Sequence, residues 1–296
     1  SNYSAEFGQS TGGVVNIVTK SGTNEFHGSV FAFVRNKRFQ ARNYFDPEKA
    51  PFTRAQDGFT LGGPIRKGKT FFFTGLERLD RHEASRVPLL LDPGIFTRFQ
   101  PLHTTLFSFV EGLPSTAQTA QLKGLAAQLK QSLTTTSYPA TVNLFRSNSG
   151  IFPFSEEFTT FSVRLDHNFS DRNHLFFRET ITDDFNENSQ FGALIALDRG
   201  RNIDTWDHAA LLGYTHVFSP SLVNEFRTQF AYNKLHVIPL DPFGPEINIT
   251  GFGFFGREIF LPSKTIERHY QWQDNLSWTR GRHTVKFGGD INPVQD

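Results

Sequence analysis

The sequence predicts an all-β chain, an antiparallel up-and-down meander that forms part of a transmembrane β-barrel. Three observations predict it. Strand-like segments alternate between one apolar and one polar side. The connections between them alternate between tight and long. Aromatic residues abound, yet no apolar run is long enough for a helix to cross a bilayer.

Alternation is clearest in the second half of the chain. Over 158–169, Phe161, Val163, Leu165 and Phe169 share one side, and Ser162, Arg164, Asp166 and Asn168 share the other. Over 221–236, Phe226, Phe230 and Tyr232 oppose Glu225, Arg227, Gln229 and Asn233. Over 268–279, Tyr270, Trp272, Leu276 and Trp278 oppose Gln271, Gln273, Asn275 and Ser277. Over 283–291, Val285, Phe287 and Ile291 oppose Thr284, Lys286 and Asp290. A period of two makes each a strand with one apolar and one wet face. Segments 29–35, 58–65, 69–79, 173–182 and 204–218 read as further strands, with apolar residues on both sides in places.

Polar turn residues punctuate these strands. Arg66-Lys67-Gly68-Lys69, Ser170-Asp171-Arg172-Asn173, Ser219-Pro220-Ser221 and Arg280-Gly281-Arg282 are tight connections. Between them lie long ones, 36–57, 80–157, 183–203 and 237–267. An up-and-down meander puts every short turn at one end and every long loop at the other. That is the layout of an outer-membrane barrel, with short periplasmic turns. Phe169, Phe218 and Trp278 each precede a short turn, where aromatics at matched heights would form an interfacial girdle. Within 80–157, Ser115 could cap a helix that carries Leu122, Leu125, Ala126, Leu129 and Leu133 and closes before Pro139. It reads as a short amphipathic helix packed on an outer loop.

Composition narrows the class. The 296 residues include 34 Phe against 6 Tyr and 3 Trp, while mean hydropathy is −0.37. The apolar runs Phe71-Phe72-Phe73 and Leu89-Leu90-Leu91 fall far short of the roughly 18 residues of a spanning helix. A net charge of +1, with basic residues scattered among acids, excludes a nucleic-acid partner. Absent cysteine excludes disulfides, thiolate metal sites and a Cys nucleophile. A chain that starts Ser1-Asn2-Tyr3 and holds no Met reads as cut or processed from a longer one, without a signal peptide.

The N-terminal residues are the most specific. Ala5-Glu6-Phe7-Gly8, Gly12-Gly13-Val14-Val15-Asn16-Ile17-Val18-Thr19-Lys20 and Phe26-His27-Gly28-Ser29 resemble the junction of plug and barrel in TonB-dependent receptors. Arg42-Asn43-Tyr44-Phe45-Asp46, Leu61-Gly62-Gly63-Pro64-Ile65, Lys69-Thr70-Phe71-Phe72-Phe73 and Phe161-Ser162-Val163-Arg164-Leu165-Asp166-His167 are similar to the Oar-like branch of that family. The resemblance covers most of 1–86 and 144–290; segment 87–143 departs from it.

It implies a short plug remnant over 1–25 and the first part of the barrel over 26–296, with 80–157 as an outer loop. Such barrels have about 22 strands around a plugged lumen. The implied partners are outer-membrane lipid, the TonB complex through a missing N-terminal region, and a small-molecule, oligosaccharide or peptide ligand. The implied place is the bacterial outer membrane, and the implied activity is ligand uptake without covalent chemistry. Lumen-facing candidates are then Arg164, Asp166, Glu225, Arg227, Gln229, Gln271, Gln273 and Lys286. Their first role would be to hydrate the lumen and hydrogen-bond the plug, ahead of ligand contact. The alternatives are a porin-like channel or surface adhesin, and a soluble carbohydrate-binding β-protein.

Other motifs read as structure. Gly251-Phe252-Gly253-Phe254-Phe255-Gly256 has dinucleotide-loop spacing, but no helix follows it, so an aromatic-glycine tip on an outer loop is the better reading. Asp184-x-Asn186-x-Asn188 opens like a Ca²⁺ loop, yet Ser189 and Ile195 stand where Gly and Glu are needed, which favours a polar loop. His208 and His216 are too far apart on one strand to share a metal, and His167 and His174 flank a turn. No catalytic, cofactor or metal site is expected. Glu156-Glu157 and Asp183-Asp184 read as solvated neighbours, and Asn248-Ile249-Thr250 carries nothing in a bacterial setting.

Overall fold

The computed structural model describes residues 18–42, 44, 48–89, 100–135, 144–189 and 191–296. The signature residues over 5–17 lie outside them. Nine strands form one antiparallel meander, each hydrogen-bonded to the next in sequence. They are β1 (His27–Asn36), β2 (Phe52–Arg66), β3 (Thr70–Val87), β4 (Gly150–Ser170), β5 (Asn173–Ser189), β6 (Arg201–Ser219), β7 (Leu222–Pro239), β10 (Ser263–Arg280) and β11 (His283–Ile291). Between β7 and β10 lies a hairpin of β8 (Ile247–Ile249) and β9 (Gly253–Phe255). β12 (Val294–Gln295) pairs with β10. In the β3–β4 connection the helices α1 (Gln100–Glu111) and α2 (Ala117–Thr135) lie against each other, and residues 144–147 form a further helical turn before β4.

The expected alternation of turns holds. The turns at 67–69, 171–172, 220–221 and 281–282 all fall at one end of the sheet. Gly68 and Gly281 sit there at positive φ, which a side chain would oppose. Three of the four hairpins also slip register by one residue beside the turn, between Pro64 and Arg66, Asn168 and Ser170, and Val217 and Ser219. Each bulge frees one large residue: Ile65, Phe169 or Phe218, all more than half exposed. His167 and His216 meet Phe169 and Phe218 edge-on at 4.4 and 4.3 Å, the same pairing in two hairpins. Trp278 stands exposed at the fourth turn.

Cross-strand register assigns the faces. Phe72, Leu165, Phe177, Leu212, Thr228, Trp272 and Ile291 make one continuous row across the sheet. Phe59, Leu76, Phe161, Ile181, His208 and Tyr232 make another on the same side. Phe161, Leu165 and Trp272 are 39–44% exposed, and Phe287 and Ile291 on β11 are 78% and 66% exposed. Among the described residues, neither a second sheet nor a helical layer covers this face. An exposed apolar surface this wide needs a nonaqueous neighbour.

The strands are longer than their hydropathy suggests. The seven inner ones run from 15 residues in β2 to 21 in β4, where about 10 cross a bilayer. The long connections are therefore 37–51, 88–149, 190–200 and 240–262, shorter than alternation implied. Towards the long loops polar residues enter the aromatic face while apolar ones such as Leu79, Phe158 and Leu235 enter the other, so the alternation is lost while pairing continues. There Arg81 reaches Glu156 at 2.6 Å on one face, and Ser155 donates to Glu187 at 3.1 Å on the other. Asp184 and Asn186 belong to this extension of β5, joined at 2.9 Å, and not to a loop.

Three long connections share a small core. Val87, Leu89, Phe145, Ala196 and Phe255 are buried together, with Phe145 and Phe255 edge to face at 5.0 Å. Phe255 is fully buried, so the glycine-aromatic motif is the centre of this cap and not an open tip. Ile195 bridges Phe254, Arg199 reaches Glu246 at 2.8 Å, and Arg201 reaches Glu258 at 2.8 Å. The second helix forms as expected, but Thr116 caps it and Ser115 does not: Thr116 and Thr119 exchange hydrogen bonds at 2.8 and 3.2 Å. Leu122 and Leu125 are exposed on it; α1 instead buries Phe107 and Val110.

Two outcomes follow. Leu211 and Leu212 are neighbours on opposite faces of β6. Leu212→Arg is expected to cost about 2–4 kcal/mol of folding stability in vesicles, as a cation facing lipid does. Leu211→Arg is expected to stay within about 1 kcal/mol; a urea titration of the full-length protein compares them. In the cap, burial raises the pKa of Asp198, opposed by the backbone N–H groups of Gly256 and Arg199, while Asp241 raises it further. A folded-state pKa above the unfolded one favours the fold at acid pH and withdraws that stability as pH rises through the folded value. Asp198→Asn is therefore expected to slow hydrogen exchange over 191–200 and 247–256 at neutral pH, with the gain vanishing as pH falls through the aspartate range.

Candidate functional site: the polar face of the wall

The face opposite the aromatic rows carries all eight sequence candidates. Register ties six of them into two adjacent rows. One runs Phe71, Asp166, Phe176, Gly213, Arg227 and Gln273. The next runs Phe73, Arg164, Arg178, Leu211, Gln229 and Gln271. Glu225 lies one row nearer the short turns, opposite Asn275, and Lys286 lies close to the last turn, opposite Ser277.

Arg227, Gln229, Gln271 and Gln273, with Leu211, line a polar hollow of about 110 Å³. Arg227 is held by Glu225 at 2.6 Å, and Gln271 donates to Asp290 at 2.7 Å. Amide and guanidinium donors converge here on rigid strands. That suits hydrogen-bonding a polar chain or solute, without a nucleophile or a proton relay.

The Arg164 cluster is more enclosed. Its guanidinium forks onto Asp166, with Nε to Oδ2 at 2.9 Å and Nη2 to Oδ1 at 2.7 Å. It stacks over Phe176 at 4.8 Å. The Phe176 ring occupies the space where a Cβ on Gly213 would stand, so only glycine fits opposite it. The remaining Nη1 donates to Thr19, to Oγ1 at 2.9 Å and to the carbonyl at 3.2 Å. Segment 18–24 thus crosses this face as a strap. Gly22 abuts the backbone of Phe72 and Gly63 with no room for a Cβ. Asn24 Oδ1 accepts from the N–H of Gly68 in the first short turn at 2.7 Å. Between strap and wall lies a cleft of about 320 Å³, lined by Lys20, Thr23, His27, Thr60 and Phe73 among others.

Sequence reading missed Thr19, Phe176, Arg178 and Asp290. Phe176 and Arg178 lie on a strand with mixed faces, Asp290 read as polar but without its partner Gln271, and Thr19 lies outside the strands and is placed by its bonds to Arg164. The histidines are engaged locally: His208 with Glu179 at 3.0 Å, His167 with Thr70 at 2.9 Å, His174 with Asn168 at 2.8 Å and His216 with Asn173 at 2.6 Å. Among the described residues, no three metal-ligating side chains converge.

Comparison with known proteins agrees with this architecture. Over 81 residues, the chain is 46% identical to the TonB-dependent transporter Oar of Myxococcus xanthus, a match over 25% of this chain and 8% of that protein. Its fold is similar to the crystal structure of the siderophore receptor PirA from Acinetobacter baumannii. The TM-score is 0.51 at 14% identity, over 96% of this chain and 32% of that one. The chain thus spans under a third of either relative. The family model described as outer membrane beta barrel domain matches residues 18–296. With nine meandering strands, one polar face and one aromatic face open to lipid, the chain belongs to the outer membrane beta barrel domain family and forms part of a barrel wall in the bacterial outer membrane.

Proposed function

We propose that this chain is part of a TonB-dependent uptake receptor, with residues 1–25 ending a plug and 26–296 opening the barrel. The observation that carries the proposal is the strap over 18–24, bound to the polar face by Arg164 and to the first turn by Asn24. The 46% identity to a TonB-dependent transporter supports the same reading. β1 and β11 each lack a second partner strand among the described residues, and further strands would close the wall. A ligand, whether small molecule, oligosaccharide or peptide, would be captured at the long-loop end. TonB would then act on the plug from the periplasmic side. The candidates on the polar face would hydrate the lumen and hold the plug; no covalent step is proposed.

A porin-like channel or adhesin is not expected to carry a plug-like sequence such as the one over 5–24. A soluble carbohydrate binder would hide the aromatic face or gather its aromatics in loops. Full-length protein in planar bilayers is expected to stay closed, and a version lacking everything before His27 is expected to conduct steadily. Steady conduction by the intact protein would favour the porin. Uptake itself is checked by accumulation of labelled ferric siderophores, oligosaccharides and peptides, each with and without a protonophore. At least one is expected to accumulate only in energised cells that carry the protein.

The strap supplies its own measurement. A hydrogen bond to a charged group contributes roughly 1.5–3 kcal/mol, so losing Arg164 should raise the open population of the strap about tenfold or more. Arg164→Gln is therefore expected to speed tryptic cleavage after Lys20 by about that factor. Arg227→Gln, which touches no strap residue, should leave the rate unchanged.

A further inference from the structure

On the apolar face the aromatic rows stop at a definite height, and what stands above them differs around the wall. On β7, Phe226, Phe230 and Tyr232 are followed by Lys234 and His236. On β10, Trp278, Leu276, Asp274 (held by Asn224 of β7 at 2.9 Å), Trp272 and Tyr270 are followed by Arg268, Ile266 and Lys264. Register sets Tyr232 opposite Arg268, Lys234 opposite Ile266, and His236 opposite Lys264. Arg268 lies over the Tyr232 ring at 5.6 Å. Tyr270 and Trp272 stack nearly parallel, 11° apart, and form a flat surface below. Asp204 on β6 takes Lys234 at 2.9 Å. Among the described residues, no carboxylate pairs with Lys264 or Arg268. At matching heights on β2, β3, β4 and β5 the same face carries Asp57, Asp80, Glu157 and Asp183, and the basic residues there, Arg78 and His82, both lie beside Asp80, at 3.9 and 2.9 Å. On β7 and β10 the cations at this height have no carboxylate on this face of their own strands.

Height gives the patch its meaning. Trp278 adjoins the short turn, and Tyr270 lies eight residues along the strand. At ~3.4 Å per residue and a tilt near 45°, that is ~20 Å of membrane, close to the ~25 Å apolar band of such barrels. Arg268 and Lys264 then fall at headgroup level in the leaflet on the long-loop side.

We propose that Lys234, His236, Lys264 and Arg268 form a binding site for one lipid of that leaflet whose headgroup carries phosphates. Lysine and arginine donate charge-assisted hydrogen bonds to phosphate oxygens, and several phosphates match several cations. The acyl chains would run down across Tyr270, Trp272 and Phe230. The proposal rests on the lipid-facing assignment of this surface and is independent of what the receptor imports.

The test is native mass spectrometry of the full-length protein in a zwitterionic detergent, titrated with bisphosphorylated lipid A. One bound lipid per protein is expected, and monophosphorylated lipid A should bind more weakly. The double variant Lys264→Gln/Arg268→Gln should need at least tenfold more lipid, while Lys67→Gln/Lys69→Gln at the opposite end should match the unsubstituted protein. Thermal melting of both variants in detergent verifies folding. Undiminished lipid binding by the first variant overturns the site, as does equal displacement by inorganic phosphate, which would mark a free-anion site. A protein that stays monodisperse in plain buffer would instead overturn the lipid-facing assignment.

Discussion

In hydrocarbon no water is present to satisfy a peptide group, so every N–H and C=O at membrane depth must pair within the protein. This chain meets that demand by strand-to-strand pairing alone, and the rest of its structure follows. Pairing fixes neighbours, and side-chain alternation fixes register, since a slip of one residue would exchange the aromatic and the polar face. The turns must then hold register without spending residues. Gly68 and Gly281 do so through positive φ, and the bulges at Ile65, Phe169 and Phe218 turn the surplus residue outward. One device closes the hairpin and also supplies the aromatic rim. The same pairing demand makes β1 and β11, each with one partner strand among the described residues, the two edges of the wall.

The polar face answers a different problem, how to place charges beside one another on a rigid surface. Both of its main ion pairs join residues two apart on one strand, Arg164 with Asp166 and Arg227 with Glu225. They are not equivalent. The Arg164 side chain is 19% exposed and that of Arg227 47%, because the first also stacks on Phe176 and holds Thr19. A planar guanidinium can serve a carboxylate and a peptide carbonyl at once, which an ammonium group cannot do with fixed direction. Yet each bond is modest in energy and local.

How far the sequence shows this depends on where the membrane is. Within the apolar band, alternation marks strands such as 158–169 and 268–279, and the alternating lengths of the connections mark the topology. Beyond the band the signal fades, because a paired ribbon in water has no reason to alternate. Hence the upper parts of β3, β4 and β5 read as loops, and Asp184 and Asn186 read as a loop motif. The polar face was legible residue by residue in Arg164, Asp166, Glu225, Arg227, Gln229, Gln271, Gln273 and Lys286. Their grouping was not, since adjacency across strands depends on register, which one sequence does not display. Thr19 was hidden by distance along the chain: it lies 145 residues from Arg164. α1 escaped notice because it follows the point at which resemblance to the family stops.

The long-loop end adds a further constraint. Val87 and Leu89 leave β3, Ala196 leads into β6, Phe255 comes from the β8–β9 hairpin and Phe145 precedes β4, yet all five share one core. Leu144, Phe152, Phe191 and Ile249 pack around them, so truncating Phe255 at the centre would leave a cavity shared by all three connections. The three connections therefore gain or lose order together, as a cooperative unit stacked on the strand ends. Gly253 and Phe255 read as surface punctuation when taken alone. They acquire meaning only from residues more than fifty positions away, which the long paired strands bring to one place. The wall that separates lipid from lumen thus also builds the cap above it, and both depend on the same hydrogen-bonded ladders.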